Sequence, residues 1–393
     1  MAGLWPIVKN VLAQRRGSIT AAAAGFTAFV NIYALQSLLP LLAEAFQTTD
    51  RTVSLAVSAT TLAVALASPL AGWLVGRMTR GALTKLSVGG LVFCGLQVSF
   101  SADLESLLFW RFVQGLFLPI LISGVLSFLS QDFPSDQVSR ATSHYVTWTI
   151  VGGFAGRWLG GLTATAWGWR PALFSLALVN ALAGCVLIMS LKDPTARMRS
   201  RKTPTLRDFL HSFRRPELRT SYTIGFTSLF TMIGVFTYVT FYLAQAPFNL
   251  SPSGLGKIFC VYLLGIAITP VVGNALACWG IPLTVRRSAY LALAGLLLTL
   301  LPNLAYVVTG LSFVCVAGFA AQASVSSLIA HLPEDIKAVA SGLYLSSYYL
   351  GGCLGAAVPG LLWERSGWWG CVALLLSAQI VTLSLSRQLT RTR

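Results

Sequence analysis

The strongest constraint on this chain is a succession of apolar runs, each roughly 18–25 residues long and nearly free of charge. Wound as a helix rising about 1.5 Å per residue, one such run crosses about 30 Å of hydrocarbon. Lipid offers no water to exposed N–H and C=O groups, so a spanning segment must satisfy its own backbone, and runs of this length do so as helices. Composition points the same way. Of 393 residues, 55% are hydrophobic and 10% are charged, whereas a soluble domain carries about 25% charged residues. The runs give spans at 19–42, 52–75, 84–101, 105–130, 139–163, 171–191, 221–245, 254–277, 286–302, 304–330, 338–362 and 368–387.

A formal net charge of +16 raises the question of nucleic acid. The placement of the charges answers it. With twelve spans and both ends inside, the cytoplasmic segments hold 22 of the 28 Lys and Arg, nine of them between Lys192 and Arg219. The opposite side keeps Arg51, Arg170 and Arg365, and the last three, Arg111, Arg157 and Lys257, fall inside spans. This is the positive-inside bias of a membrane protein whose basic loops face the cytoplasm and anionic lipid. No nucleic-acid partner is expected. The stretch before Ala43-Glu44-Ala45 is too long for the core of a cleavable signal. The seven cysteines show no metal spacing and read as small apolar packing residues.

The chain repeats itself. A shift of 199 residues superposes Pro134 on Pro333, Asp136 on Asp335, Ala141 on Ala340 and Tyr145 on Tyr344. Gly152, Gly153 and Gly156 fall on Gly351, Gly352 and Gly355, Gly161-Leu162 on Gly360-Leu361, and Gly168-Trp169 on Gly367-Trp368. Eleven identities in 36 residues make the fifth and eleventh spans counterparts. The expected fold is all-α: about 12 transmembrane helices in two pseudo-symmetric six-helix bundles, a plan that places a substrate site between halves near mid-membrane. The domains are then 1–18, a cytoplasmic N-terminus; 19–191, the first bundle; 192–219, a basic cytoplasmic linker; 220–387, the second bundle; and 388–393, a tail. In the linker, Leu206, Phe209, Leu210 and Phe213 share one stripe after an N-cap pair, Thr205 and Asp208. That pattern fits a helix lying on the cytoplasmic leaflet, or a flexible basic connection.

Local motifs bring a family into view. Gly72-Trp73-Leu74-Val75-Gly76-Arg77-Met78-Thr79-Arg80 resembles the major facilitator superfamily loop G-x-L-x-D-R-x-G-R, with Gly76 in place of its Asp and Thr79 in place of its second Gly. Arg111-Phe112-Val113-Gln114-Gly115 resembles the family's R-x-x-Q-G in the fourth span. Gly152-Gly153-Phe154-Ala155-Gly156-Arg157-Trp158-Leu159-Gly160-Gly161 resembles the antiporter signature of the fifth span, with Arg157 where that signature has Pro. Small residues four apart let helices approach closely. Together with Ala317–Ala321, Ser341–Gly352 and Gly367-Trp368, these motifs make the chain similar to enterobacterial inner-membrane transport proteins of the arabinose-efflux permease and drug–proton antiporter type.

The resemblance implies a secondary transporter working by alternating access in a bacterial inner membrane. It implies proton-linked efflux of a small amphipathic molecule, a drug or a sugar, by a monomer that is not an enzyme and holds no cofactor or metal. Gly72, Arg77, Arg80, Gly152, Gly156 and Gly160 are its conformational residues. In the family the Arg at position 111 is associated with proton coupling.

The residues themselves add a second expectation. A guanidinium inside a span costs several kcal/mol unless it meets water or a partner, so Arg111 and Arg157 are expected to face a wet passage between the bundles. The competing expectations are that Arg111 snorkels toward Asp103 and Glu105, and that Arg157 pairs with Glu44 or Asp50 at the outer mouth. All twelve carboxylates lie at span ends or in loops. A proton would therefore have to use Glu44, Asp50, a histidine such as His144, or the substrate. Asn31, Tyr33 and Gln36 of the first span offer neutral hydrogen-bonding groups, as do Gln114, Tyr145, Tyr238, Gln322, Tyr344 and Tyr348 elsewhere, although each also suits packing. Two buried arginines without a buried acid also fit an importer or exchanger of a small organic anion. No Ser/His/Asp, Cys/His or metal constellation favours an enzyme.

Overall fold

A computed structural model describes residues 4–132, 135–191, 195–196 and 211–389. Among these residues are thirteen α-helices: α1 Leu4–Phe29, α2 Leu39–Ala45, α3 Asp50–Val75, α4 Arg80–Ser99, α5 Leu104–Asp132, α6 Ser135–Trp167, α7 Trp169–Ser190, α8 Pro216–Ala244, α9 Pro252–Ile258, α10 Leu264–Leu298, α11 Leu304–Ala330, α12 Glu334–Ala357 and α13 Pro359–Gln388. Two 3-10 segments, Ala34–Leu38 and Phe259–Leu263, interrupt the series. The first forms one bent span with its neighbours: Gly17–Phe29 and Ala34–Ala45 meet at 42°. Pro40 enters the first turn of α2 without an N–H to return to the preceding turn.

Among the described residues eight apolar segments are long enough to cross a membrane, and the bent pair supplies a ninth. The segment from Pro252 to Leu298 holds two crossings, because the backbone turns at Gly280 with φ 74°. The remaining two, α6 and α12, are long but more polar, with glycine, serine and tyrosine on faces buried by other helices. The chain thus crosses twelve times, and the start of α1 and the end of α13 share one face, termed proximal; the other is distal. Helices α1–α7 form one bundle and α8–α13 the other. They meet chiefly where α3 lies along α12 and where α6 crosses α9.

The sequence repeat is a repeat of packing. In α6, Gly152 and Gly156 sit against the Phe26 carbonyl of α1 and the Val30 carbonyl just beyond its end; a Cβ on Gly152 would lie 2.8 Å from the Phe26 oxygen. In α12, Gly351 and Gly355 meet the Phe226 and Phe230 carbonyls of α8 in the same way. These glycines therefore hold each bundle together, whereas Gly161 reaches across, its Cβ position falling on the Pro252 carbonyl and 3.4 Å from Gly256. A Cβ on its counterpart Gly360 would meet Arg51 of the first bundle at 2.7 Å. Gly168 and Gly367 turn the chain in each half at positive φ, 83° and 57°, and the tryptophans that follow them, Trp169 and Trp368, are buried.

The linker helix expected over 205–213 lies mostly outside the described residues. Its end docks on α8: the Ser212 hydroxyl is 2.7 Å from that of Tyr222, and Phe213 packs on the same ring. Lys257, expected inside a span, sits in the last turn of α9, one residue after the Gly256 that packs on the Arg157 carbonyl, and its side chain is exposed on the bundle's outer surface.

These contacts predict that Gly156→Val and Gly355→Val each lower the detergent melting temperature by several degrees and reduce the monodisperse fraction. Gly273→Ala, whose Cβ would meet nothing within 4 Å, should leave both unchanged in the same fluorescence-detected assay.

Candidate functional site

Irregular backbone at membrane depth is tolerated where protein or a cavity covers it, and transporters place such breaks at their sites. Here the two 3-10 segments come together across the seam, one from each bundle, on either side of Arg157.

Arg157 is completely buried in α6. Its Nε donates to Gln36 Oε1 at 2.8 Å and its Nη1 to the Gly153 carbonyl at 2.7 Å. Gln36 Nε2 in turn donates to Thr237 Oγ1 of α8 at 3.1 Å, so this polar chain joins the bundles. The Ser37 hydroxyl fixes the α6 backbone by donating to the Arg157 carbonyl at 2.7 Å. Three rings enclose the guanidinium, with centroids 4.8, 4.8 and 4.4 Å from Cζ for Tyr33, Phe259 and Tyr262. Nη2 donates to nothing, and the buried Tyr262 and Tyr145 hydroxyls are likewise without partners. Tyr33, Tyr262, Tyr344 and Tyr349 all lie within electrostatic reach of the Tyr348 phenol, extending one tyrosine-rich wall from the first bundle to the second.

Arg111 is buried too, but in a different setting, and here the structure departs from the sequence expectation. Its Nη1 donates to the Asn31 carbonyl at 2.9 Å and to Gln114 Oε1 at 2.6 Å, its Nη2 to the Ile32 carbonyl at 2.6 Å and its Nε to the Ala56 carbonyl at 3.4 Å. The bend after Phe29 takes the Asn31 and Ile32 carbonyls out of regular α-helical pairing, leaving Asn31 a long 3.4 Å bond from the Ala34 N–H, and the guanidinium fork meets both. Gln114 completes the brace by donating to the Leu91 carbonyl at 3.2 Å. Arg111 and Gln114 thus stabilise the first bundle from within and do not line the seam. Asp103 is no partner either: its Oδ1 caps α5 by accepting from Ser106 N–H at 2.7 Å, which holds its carboxyl below the usual range.

The other expected site residues divide in the same way. Tyr33, Gln36, Tyr145, Tyr344 and Tyr348 gather around Arg157 or its tyrosine wall. Asn31 is buried beside them in sequence, with its side-chain nitrogen unpartnered. Gln322, half-buried in α11, is not brought into that network. Tyr238 belongs to a distal seal, donating to the Ala356 carbonyl at 2.8 Å and meeting the Ser54 hydroxyl at 3.0 Å. Of the conformational residues, Gly160 packs near Leu176 and Gly72 lies in the last turns of α3. Arg77 is exposed in the next turn, while Arg80 stacks over Phe128 and ties its backbone N–H to the Ala196 carbonyl at 3.0 Å. Sequence reasoning missed Phe259, Tyr262 and Thr237. Only the aromatic spacing of Phe259-Cys260-Val261-Tyr262 hinted at them, and nothing in the sequence announced the 3-10 break.

Above Arg157 the distal seam is closed by polar contacts. The Ser54 and Ser58 hydroxyls donate to the Ala356 and Cys353 carbonyls at 2.9 and 2.8 Å. Trp363 Nε1 donates to Asp50 Oδ2 at 2.9 Å, and Arg51 pairs with Glu364 at 3.5 Å. Ser253 N–H donates to Thr165 Oγ1 at 2.9 Å. Farther toward the proximal face, Ser143, His144, Val146 and Trp148 of α6 are exposed, as is much of α10 between Leu264 and Trp279.

Comparison with known proteins agrees with this architecture. The chain matches the Major Facilitator Superfamily over residues 21–356. It is 26% identical over 372 residues to the uncharacterized MFS-type transporter YybF of Bacillus subtilis (strain 168), with 94% of this chain and 92% of the relative covered. The inner membrane transport protein YnfM of Escherichia coli (strain K12) is also 26% identical over 372 residues, covering 94% and 89%. Among solved structures, a bacterial homologue of the human lysosomal transporter Spinster, in an inward-facing and unoccupied conformation, superposes with a TM-score of 0.77 at 14% identity, covering 97% and 98%.

Each carbonyl left unsatisfied in the interior costs on the order of 1–3 kcal/mol. Arg111→Ala should therefore strongly destabilise the first bundle, seen as a large drop in melting temperature, and Arg111→Lys should recover part of the loss.

Proposed function

Since the chain belongs to the Major Facilitator Superfamily and is a membrane transporter rather than an enzyme, we propose that it exports a small amphipathic molecule by proton-linked alternating access around the Arg157 site. The carrying observation is the position of that site. It is built from both bundles and lies just beneath the sealed distal seam. Rocking the bundles apart at the distal face would split Arg157 and Tyr33 from Phe259, Tyr262 and Thr237. A ligand touching both sets therefore has different affinities for the two arrangements, which is what couples binding to conformation.

The positive-inside bias puts the proximal face in the cytoplasm, in the inner membrane of a bacterium, so the distal seal faces outward. Its strength suits a gate. The six cross-bundle contacts of the seal named above, five hydrogen bonds and one ion pair, at about 0.6 kcal/mol each in a membrane protein, total on the order of 4 kcal/mol. Inverting a 1:99 equilibrium takes about 5.5 kcal/mol. Closure of this strength is reversible by a ligand. The export direction is supported by the likeness of residues 152–161 to the antiporter signature.

The proton in this reading acts at Asp50. It lies in the seam against Trp363, flanked by Arg51 and Glu364, with the Tyr238 phenol nearby. Neutralising the carboxylate weakens its hydrogen bond from Trp363 and loosens the seal, so external acid favours outward opening.

The test uses Cys353, a buried native thiol in the seal, in a chain whose other six cysteines are replaced. In everted and right-side-out vesicles, a membrane-impermeant maleimide should label Cys353 from outside faster at acid than at neutral external pH. Asp50→Asn should raise labelling and remove the pH dependence. Labelling that is slow and pH-independent in both chains would contradict the proposed gate.

A further inference from the structure

The identity of the charge at the seam narrows the substrate class, resting on the transporter reading above. Arg157 is a buried cation that forms no salt bridge among the described residues: the groups against its guanidinium are the Gln36 amide, the Gly153 carbonyl and the rings of Tyr33, Phe259 and Tyr262. An uncompensated buried charge costs several kcal/mol. Cation–π contacts with Tyr33, Phe259 and Tyr262, at about 0.5–2 kcal/mol each, offset only part of that cost. Two hydrogen bonds occupy Nε and Nη1, while Nη2 faces no acceptor at all. An anionic acceptor at Nη2 would supply the stabilisation that these contacts do not.

The surroundings specify what that anion is attached to. The wall beside Arg157 is made of flat rings from both bundles: Tyr33 from the first, and Phe259, Tyr262, Tyr344, Tyr348 and Tyr349 from the second. Tyr348 lies 5.8 Å from Tyr344 and 5.5 Å from Tyr349 between centroids. Such rings favour a planar aromatic body by offset or edge-to-face stacking. The unpartnered Tyr262 and Tyr145 hydroxyls leave two further polar groups. The charge count is one. Arg111 is fully engaged with carbonyls inside the first bundle, so it cannot serve a second anionic group.

We infer that the seam site binds a small planar aromatic monoanion, an aryl carboxylate, with its carboxylate on Arg157 Nη2 and its ring among the tyrosines of the opposite bundle. The ligand supplies the counter-ion that the protein lacks and ties the two bundles together while bound. A cationic amphiphile is disfavoured at the same place, because it would add a second positive charge next to Arg157.

The experiment compares isosteres on the full chain in nanodiscs. The probe is 2-naphthoate, measured by equilibrium dialysis against its neutral and cationic counterparts, 2-naphthamide and 2-naphthylmethylammonium, and against the non-aromatic decalin-2-carboxylate. The expected result is binding of 2-naphthoate at least tenfold tighter than that of each of the other three. Arg157→Gln should abolish the preference for the anion over the amide, and Arg157→Lys should weaken naphthoate at least tenfold, because an ammonium lacks the planar fork. Tyr262→Phe should weaken it a few-fold. Equal affinity for naphthoate and naphthamide in the wild-type protein, or no binding of naphthoate, would overturn the inference, and neither result depends on how well a variant folds. The labelling of Cys353 separates this failure from the failure of the transporter reading: a pH-dependent seal without anion preference rejects only the substrate class.

Discussion

A guanidinium cannot be left among lipid tails, and this protein meets that constraint twice in opposite ways. Arg111 is neutralised by dipoles: the carbonyls of Asn31, Ile32 and Ala56 and the amide of Gln114 surround it within a single bundle. Arg157 is surrounded by rings drawn from both bundles, keeps one nitrogen without an acceptor, and has no ion-pair partner among the described residues. The first arrangement is complete in itself and stabilises a bend. The second is incomplete, and its incompleteness gives the seam something to bind.

Backbone breaks make both arrangements possible. The bend after Phe29 releases carbonyls for Arg111 and sends Gln36 toward Arg157, while the 3-10 segment at Phe259–Leu263 brings Phe259 and Tyr262 to the same guanidinium. Glycine contacts then set the helices close enough for these groups to meet. Gly152 and Gly156 fix α6 on α1, and Gly161 brings α6 against α9 at the distal end. One helix therefore carries intrabundle packing, the buried charge and the crossing between bundles within about three turns, as the spacing of 3.6 residues per turn allows.

Much of this was legible in the residues. The twelve crossings follow from run length, and the repeat of Gly152, Gly156 and Gly168 at Gly351, Gly355 and Gly367 correctly announced two equivalent bundles. The cost of burying a charge led to the expectation that Arg157 faces a wet passage; the structure instead buries it completely, among rings of both bundles. The same argument misplaced Arg111, because energetics alone says only that a buried charge needs partners. It does not distinguish a wet passage from a set of carbonyls freed by a bend, and Pro40 was the only local sign of that bend. Tyr238 was misread for a related reason. A tyrosine with an apolar body and a polar tip suits a cavity and a hydrogen-bonded seal equally well, and its partner, the Ala356 carbonyl, is a backbone group that no sequence pattern displays. Thr237 was invisible because its role depends on a contact between bundles, and Tyr262 showed only through its spacing from Phe259.

The distal seal and the Arg157 site act on the same motion, one holding the outer faces together and the other offering a bridge below them. A structure of the protein with 6-bromo-2-naphthoate tests the shared premise most directly, because the bromine marks the ring by anomalous scattering and the density shows the carboxylate. The account predicts the carboxylate within hydrogen-bond distance of Arg157 Nη2 and the ring against tyrosines of the second bundle. A ring bound elsewhere, or an Arg157 whose Nη2 is already satisfied by protein carbonyls, would contradict it.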